Sequence, residues 1–260
     1  MAYTPTPHVV IERDGPVAII TLNNPEMRNA FLDDMDEALR DVWWHLAEDD
    51  SVRAVVLTGA GTAFSAGGDI PSFIKSYEDA DYRRKSLRGA KRLMDAQIEF
   101  PKPVVAAVNG AAVGLGCNVA LGCDVVFMAE GAFFADTHVS IGLVCGDGGA
   151  VFWPALMGLL RCKEYLLTGD RIPASKALEL GLANRVVSED ELMQEALAFA
   201  TRLAQQPRQA IQETKRALNL HLQDMINRVA PFALSAESES FATDDIKRTI
   251  EGFKRKEAPA

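Results

Sequence analysis

The chain has 260 residues, 48% of them hydrophobic, which suffices for one large domain or a core domain with a smaller appendage. Its net charge of −9 and isoelectric point near 5.0 argue against a nucleic-acid-binding surface. Residues 1–10 lack a basic region followed by an apolar run, and no apolar run has the roughly 18 residues of a membrane helix. We therefore predict neither a signal peptide nor a membrane span.

The four cysteines lie in apolar or glycine-rich surroundings and form no C-x-x-C pair. This pattern is typical of reduced, buried thiols in a cytoplasmic protein, and it does not suggest a disulfide or zinc framework. We predict a cytoplasmic protein without a metal site. The cysteines are Cys117, Cys123, Cys145 and Cys162.

Predicted strands and helices alternate through the first two thirds of the chain. Asp14-Gly15, between two β-rich runs, indicates a hairpin. Period-2 and continuous apolar runs predict strands, and the 3.6-residue spacing of apolar residues predicts helices. Strands are predicted at 8–13, 17–22, 53–58, 104–108, 125–128 and around 133–134, and helices at 31–48, 79–99, from 114 and from 151. Glycine-rich turns are predicted at 64–70 and 142–149.

The last third of the chain is predicted to be almost entirely helical. Helices are expected at 161–167, 174–180, 189–206, 208–220 and 222–240, with a basic tail helix from residue 244. The pattern changes near residues 185–188 from alternating strands and helices to helices alone. This change divides a core domain, 1–187, from a helical C-terminal region, 188–260. Basic residues recur there, and we expect them, Lys215 included, to form a solvated face.

The stretch 100–124, FPKPVVAAVNGAAVGLGCNVALGCD, combines a strand, a glycine turn and a helix start. Asn109-Gly110 ends the predicted strand, and Gly114 and Gly116 open the helix. Unpaired backbone N–H groups at such a place can point at an anion. The segment fails the dinucleotide pattern G-x-G-x-x-G, and the chain has no Gly-Lys-Ser/Thr phosphate loop. The alternative for this segment is a glycine turn with a purely structural role.

Four long motifs resemble the enoyl-CoA hydratase/isomerase family, the crotonases. They are LTGAGTAFSAGGDI (57–70), PVVAAVNGAAVGLGCNVALGCDVVFMAE (103–130), IGLVCGDGGAVFWPALMG (141–158) and LLTGDRIPASKALELGLANRVV (166–187). The resemblance implies an α/β spiral of ββα units (ClpP-like), a helical C-terminal trimerisation region, and a homotrimer or dimer of trimers. It also implies an acyl-CoA thioester substrate, with no cofactor beyond the coenzyme A of that substrate.

The same resemblance assigns an oxyanion hole to the backbone N–H groups of Gly68 and Leu115. Two fixed donors stabilise the charge of an enolate or tetrahedral oxyanion, each by about 3 kcal/mol. Ala66, Asp69 and Ile70 match the segment that the family folds around coenzyme A. Arg28 matches a basic residue that contacts a phosphate in the family. The alternative interpretation, of equal weight, is a surface charge without a partner.

The chain departs from the family at the two glutamates that hydratases use, since the matching positions hold Asn118 and His138. Asparagine cannot accept a proton near neutral pH, although it can orient water. Histidine, with a pKa near 6.5, can act as general acid or base. Two-glutamate hydration is therefore not expected.

Residues 136–158 resemble in particular the family's β-diketone hydrolase branch, 6-oxocamphor hydrolase, which uses a His and an Asp at the places of His138 and Asp147. Such a pair would activate water for a retro-Claisen cleavage. A structural histidine and a loop-capping carboxylate remain the alternatives. Asp136 and Asp124 are expected to form turns.

The sequence thus predicts a crotonase-family enzyme that acts on acyl-CoA thioesters through a stabilised enolate. The general label would be hydratase or isomerase, whereas the residues favour C–C or thioester hydrolysis, or isomerisation with one base. Fold-level analogy does not decide between these reactions. The alternative from another class is a non-catalytic acyl-CoA-binding protein.

Overall fold

A computed structural model describes residues 6–257 of the chain, so part of the N-terminal stretch examined for a signal peptide lies outside the described residues. The ten strands of the described part are β1 Val9–Asp14, β2 Val17–Leu22, β3 Ala54–Gly59, β4 Ala63–Ser65, β5 Val104–Val108, β6 Ala111–Val113, β7 Val125–Ala129, β8 Phe133–Ala135, β9 Ile172–Pro173 and β10 Arg185–Val187. Its ten α-helices are α1 Asp33–Glu48, α2 Ile70–Glu78, α3 Ala80–Glu99, α4 Leu115–Leu121, α5 Gly149–Met157, α6 Leu159–Thr168, α7 Ala174–Leu180, α8 Leu192–Ala204, α9 Arg208–Ser240 and α10 Asp244–Glu257. No helix among these residues is long and apolar enough to cross a bilayer.

The strands form two sheets that the chain visits in alternation. The larger sheet has the order β1-β2-β3-β5-β7-β10, and the smaller one the order β4-β6-β8-β9. Three successive passes of the chain, β3–β4, β5–β6 and β7–β8, each give one strand to each sheet before a helix follows. This is the ββα repeat expected from the sequence.

The central strands of the larger sheet are buried on both faces. Every residue of β3 and β5 is buried, and their pairing is parallel. Such strands consist of continuous apolar runs, because helices cover both sides of a parallel sheet. Helix α8 packs against β2, β3, β5 and β7, although it follows the predicted boundary at residue 187. The division into two domains therefore stays a prediction.

The structure corrects several predicted elements. The predicted pair 208–220 and 222–240 is one 33-residue helix, α9, because neither glycine nor proline separates its two halves. Helix α2 and the short strands β4, β6, β9 and β10 were not predicted. All five have only two to nine residues, too few to display a period.

Lys215 is buried, contrary to the prediction of a solvated position. Its Nζ lies 2.7 Å from Asp124 Oδ2 and donates to the backbone oxygen of Lys102 at 2.8 Å. Asp124 was expected only to form a turn, yet it also accepts a hydrogen bond from the first N–H of β5 at 2.7 Å. These bonds join α9 to the start of the central strand β5. The periodicity of a helix does not show that one of its lysines has a buried partner.

We expect Lys215→Met to lower the free energy of unfolding by about 2–3 kcal/mol, because it leaves the Asp124 carboxylate without its cation. Chemical denaturation measures this change. Arg216→Met is the matched control, since the Arg216 side chain is 77% exposed and its removal should cost less than about 0.5 kcal/mol. Equal effects of the two substitutions would contradict a structural role for the Lys215 pair.

Candidate active site

Two glycine-rich turns approach each other so closely that side chains are excluded between them. Gly67 has φ +86°, and a Cβ on it would lie 2.7 Å from the backbone oxygen of Val113. A Cβ on Gly116 would lie 2.5 Å from Cβ of Ser65. Glycine at both positions therefore lets the turn after β4 lie directly against the turn after β6.

This approach places Gly68 and Leu115 on one cavity of about 310 Å³. Leu115 is the first residue of α4, so its N–H has no partner within the helix. Within residues 6–257, neither of these two N–H groups has a hydrogen-bond acceptor. The arrangement suits an oxyanion hole, and the helix dipole of α4 adds to it.

His138 lies in the wall of this cavity between two carboxylates. Its Nδ1 is 2.6 Å from Asp136 Oδ1, and its Nε2 is 3.4 Å from Asp147 Oδ2. Burial by itself would lower the pKa of His138, but Asp147 and Asp136 outweigh it and raise the pKa well above 6.5. The ordinary imidazole pKa expected from the sequence is therefore wrong, and the ring is an imidazolium at neutral pH.

Asp136 is the partner of His138 that the sequence reasoning missed. It was expected to form a turn, yet it is 1% exposed and holds the imidazole. Burial favours its neutral form, but the charge of His138 prevails and lowers the pKa of Asp136. The D-x-H spacing of Asp136 and His138 was the available signal.

Asn118 lies behind Asp147 and is not part of the cavity wall. Its amide nitrogen donates to Asp147 Oδ1 at 2.8 Å, and its oxygen accepts from the indole N–H of Trp153 at 3.1 Å. Because an indole can only donate, the amide orientation is fixed. The Asn118 amide is therefore engaged by Asp147 and Trp153.

Glu237, from α9, also lines the cavity and was not identified from the sequence. Burial raises its pKa to about 8; the charge of His138 opposes this shift, and Asp147 and Asp136 add to it. Its Oε2 is buried without a hydrogen-bond partner among the described residues. No sequence signal marks it, because it lies in a charged helix far from the glycine-rich motifs.

The four residues matched to coenzyme A binding separate into two groups. Ala66 and Asp69 line the cavity, whereas Arg28 and Ile70 are exposed and do not line it. Arg28 still adjoins the cavity, because Ala66 N donates to its backbone oxygen at 2.9 Å. The Asp69 carboxylate accepts from Ser72 N at 3.4 Å and caps α2, so that side chain is committed to the fold.

Asp136, His138 and Asp147 also offer ligand atoms that all lie within 4.8 Å of one another. The set contains types that metals bind, but Asp136 already takes one of the two ring nitrogens of His138. The absence of a metal site remains a prediction from the sequence.

Comparisons with known proteins agree with the motifs. The family model described as "Enoyl-CoA hydratase/isomerase" matches residues 12–260. The short-chain-enoyl-CoA hydratase of Clostridium acetobutylicum is 35% identical, over 96% of this chain and 98% of the relative. The crotonyl-CoA hydratase of Syntrophomonas wolfei is 33% identical, over 98% and 97%.

Among solved structures, an enoyl-CoA hydratase/isomerase from Mycobacterium paratuberculosis superposes with a TM-score of 0.92. It is 44% identical and covers 96% of this chain and 100% of its own. The predicted crotonase fold is thereby confirmed. Family model, relatives and superposition agree over nearly the whole length, and the chain belongs to the enoyl-CoA hydratase/isomerase (crotonase) family.

Proposed function

We propose that this crotonase-family enzyme hydrolyses a C–C bond of a 3-oxoacyl-CoA thioester by a retro-Claisen reaction. The observation that carries the proposal is the position of His138 between Asp136 and Asp147, in the wall shared with the N–H groups of Gly68 and Leu115. The cavity thus offers a base, an acid and two oxyanion donors. The positions that the resemblance matches to the two hydratase glutamates hold Asn118 and His138.

In the proposed reaction, water attacks the 3-oxo carbonyl and gives its proton to the Asp147 carboxylate. The tetrahedral adduct then breaks the bond to the α-carbon, which releases a carboxylic acid and leaves the electron pair as a thioester enolate. Gly68 and Leu115 stabilise the enolate oxygen, each by about 3 kcal/mol. His138, as imidazolium, protonates the α-carbon.

The geometry also allows the proton to pass from Asp147 to His138 after turnover. Asp147 ends the reaction protonated and His138 ends it neutral, and their facing atoms lie 3.4 Å apart. A transfer between these two atoms restores the starting state without another residue. Asn118 holds Asp147 in this position throughout.

Hydration of an enoyl-CoA is the second candidate, favoured by the relatives from Clostridium acetobutylicum and Syntrophomonas wolfei, which are named as hydratases. The same two N–H donors would stabilise the enolate of that reaction. A non-catalytic acyl-CoA-binding protein is the candidate from another class, since an intact oxyanion hole does not require turnover.

A trimeric or hexameric assembly is also proposed. Its support is a set of large apolar side chains within residues 139–178 that are 41–86% exposed, since a larger exposed apolar patch marks an interaction surface. They are Val139, Leu156, Leu159, Leu160, Leu167 and Leu178. Location in the cytoplasm remains a prediction from cysteine usage.

The proposal predicts cleavage of acetoacetyl-CoA, or of longer 3-oxoacyl-CoA esters, to a carboxylic acid and a shortened acyl-CoA. Mass spectrometry in ¹⁸O-water should place the label in the carboxylic acid and detect no free coenzyme A. Fast loss of enoyl absorbance from crotonyl-CoA without C–C cleavage would favour hydration instead. Calorimetric binding of both esters without turnover would identify the non-catalytic protein.

His138→Ala should lower kcat by about 10²–10⁴-fold and leave binding of CoA esters nearly unchanged. Because two carboxylates raise the pKa of His138 well above 6.5, wild-type kcat should persist at neutral pH and decline only in alkaline solution. Steady-state kinetics from about pH 6 to about pH 10 test both points. His221→Ala, an exposed histidine outside the cavity, is the control, and equal activity of the two variants would remove His138 from the mechanism.

Glu237→Gln should stabilise the protein at neutral pH. The pKa of Glu237 is raised from 4.5 to about 8, so the folded state keeps a proton that the unfolded chain releases. Stability therefore falls as pH rises through this window, and the glutamine variant lacks that loss. We expect a gain of roughly 2–4 kcal/mol near pH 7 and none near pH 4.5 by denaturation. Exposed Glu239→Gln is the control, and no gain at pH 7 contradicts a neutral Glu237.

A further inference from the structure

One wall of the cavity, formed by α2, α3 and the end of α9, contains the guanidinium of Arg83. Its Nη1 donates to the backbone oxygen of Ser76 at 2.8 Å. Its Cζ lies 5.3 Å from the ring centroid of Phe241, directly after α9. These two contacts hold the half-buried side chain against the wall.

No carboxylate in residues 6–257 pairs with this guanidinium, and its buried Nε has no hydrogen-bond acceptor there. Of the other arginines and lysines around the cavity, Arg40 lies 3.4 Å from Asp36 and Lys85 lies 3.2 Å from Glu37, whereas Arg92 is exposed to solvent. A partly desolvated cation without a counter-ion is unfavourable. Arg83 thus stands out as a charge that lacks a partner.

The wall beside Arg83 carries unpaired polar groups as well as the rings of Phe73 and Phe241. Pockets for apolar ligands are lined mostly by apolar side chains. Here Asp36 and Glu237 face the same cavity as Arg83, and each has one buried oxygen without a partner among the described residues. A fatty acyl chain would cover these polar groups without giving them hydrogen bonds.

A carboxylate fits the free part of the guanidinium. Nη1 donates to Ser76 and Nε is buried, so Nη2 is the nitrogen that is left for a ligand. A carboxylate oxygen can accept from it in a charge-assisted hydrogen bond. Glu237 is neutral below a pH of about 8, so it does not repel an anion there.

We propose that Arg83 is a specificity residue that binds a carboxylate at the far end of the acyl group, so that the substrate is an ω-carboxyacyl-CoA. The proposal rests on the proposed function, because it places the thioester at Gly68 and Leu115. Arg83 lies against the residue one helical turn beyond Glu237, whereas coenzyme A is expected at Ala66 and Asp69. Arg83 is therefore assigned to a carboxylate of the acyl group and not to the phosphates of coenzyme A.

Calorimetry with unreactive esters of matched length tests this assignment. Glutaryl-CoA is compared with pentanoyl-CoA, adipoyl-CoA with hexanoyl-CoA, and free coenzyme A serves as reference. We expect the wild type to bind at least one carboxylated ester about 10–100-fold more tightly than its partner. Arg83→Gln, which keeps a donor for Ser76, should abolish this preference without changing affinity for the uncharged ester.

Arg92→Met is the matched control, because Arg92 is an exposed cation at the same cavity and should preserve the preference. Arg83→Lys, which keeps the charge, should retain part of the preference and shows that loss in the glutamine variant is not misfolding. Wild-type binding without preference for either carboxylated ester overturns the inference. Equal weakening of both esters and free coenzyme A by Arg83→Gln also overturns it and assigns Arg83 to a phosphate. Failure of the wild type to bind any CoA ester contradicts the proposed function itself.

Discussion

The site depends on the contact between two glycine-rich turns. Gly67 lies under the backbone oxygen of Val113, and Gly116 lies against Ser65, at distances that a Cβ would not permit. That contact fixes the position at which α4 begins, and it brings Leu115 and Gly68 to the same cavity. Because the donors belong to the backbone of packed elements, they require no reorganisation when charge develops near them.

Buried charge forms the second constraint on the cavity. His138 keeps its proton because two carboxylates outweigh the cost of burial, and Asp136 keeps its charge because His138 is charged. The same negative neighbours help to keep Glu237 neutral. The cluster thus holds separate acid and base forms side by side at one pH, which is what acid–base chemistry on a carbonyl requires.

Much of the fold follows from local patterns in the sequence. The hairpin of β1 and β2 formed as predicted, since Asp14-Gly15 separates two β-rich runs, and β5 spans the predicted residues. Local sequence patterns did not predict the elements that depend on tertiary contacts. Strand β10 has three residues and exists because it pairs with β7, and α9 is a single helix that no local signal distinguishes from two.

For the site, the sequence by itself determined the family, the two glycine-rich turns, and the presence of His138 and Asp147 within motifs that resemble that family. Only the tertiary structure decided which groups meet. Asp136 holds the imidazole, Asn118 turns its amide to Asp147, and Glu237 arrives from the distant helix α9. The physical reason is that pKa values and hydrogen bonds depend on burial and on charges brought together by folding, and neither is encoded in spacing along the chain.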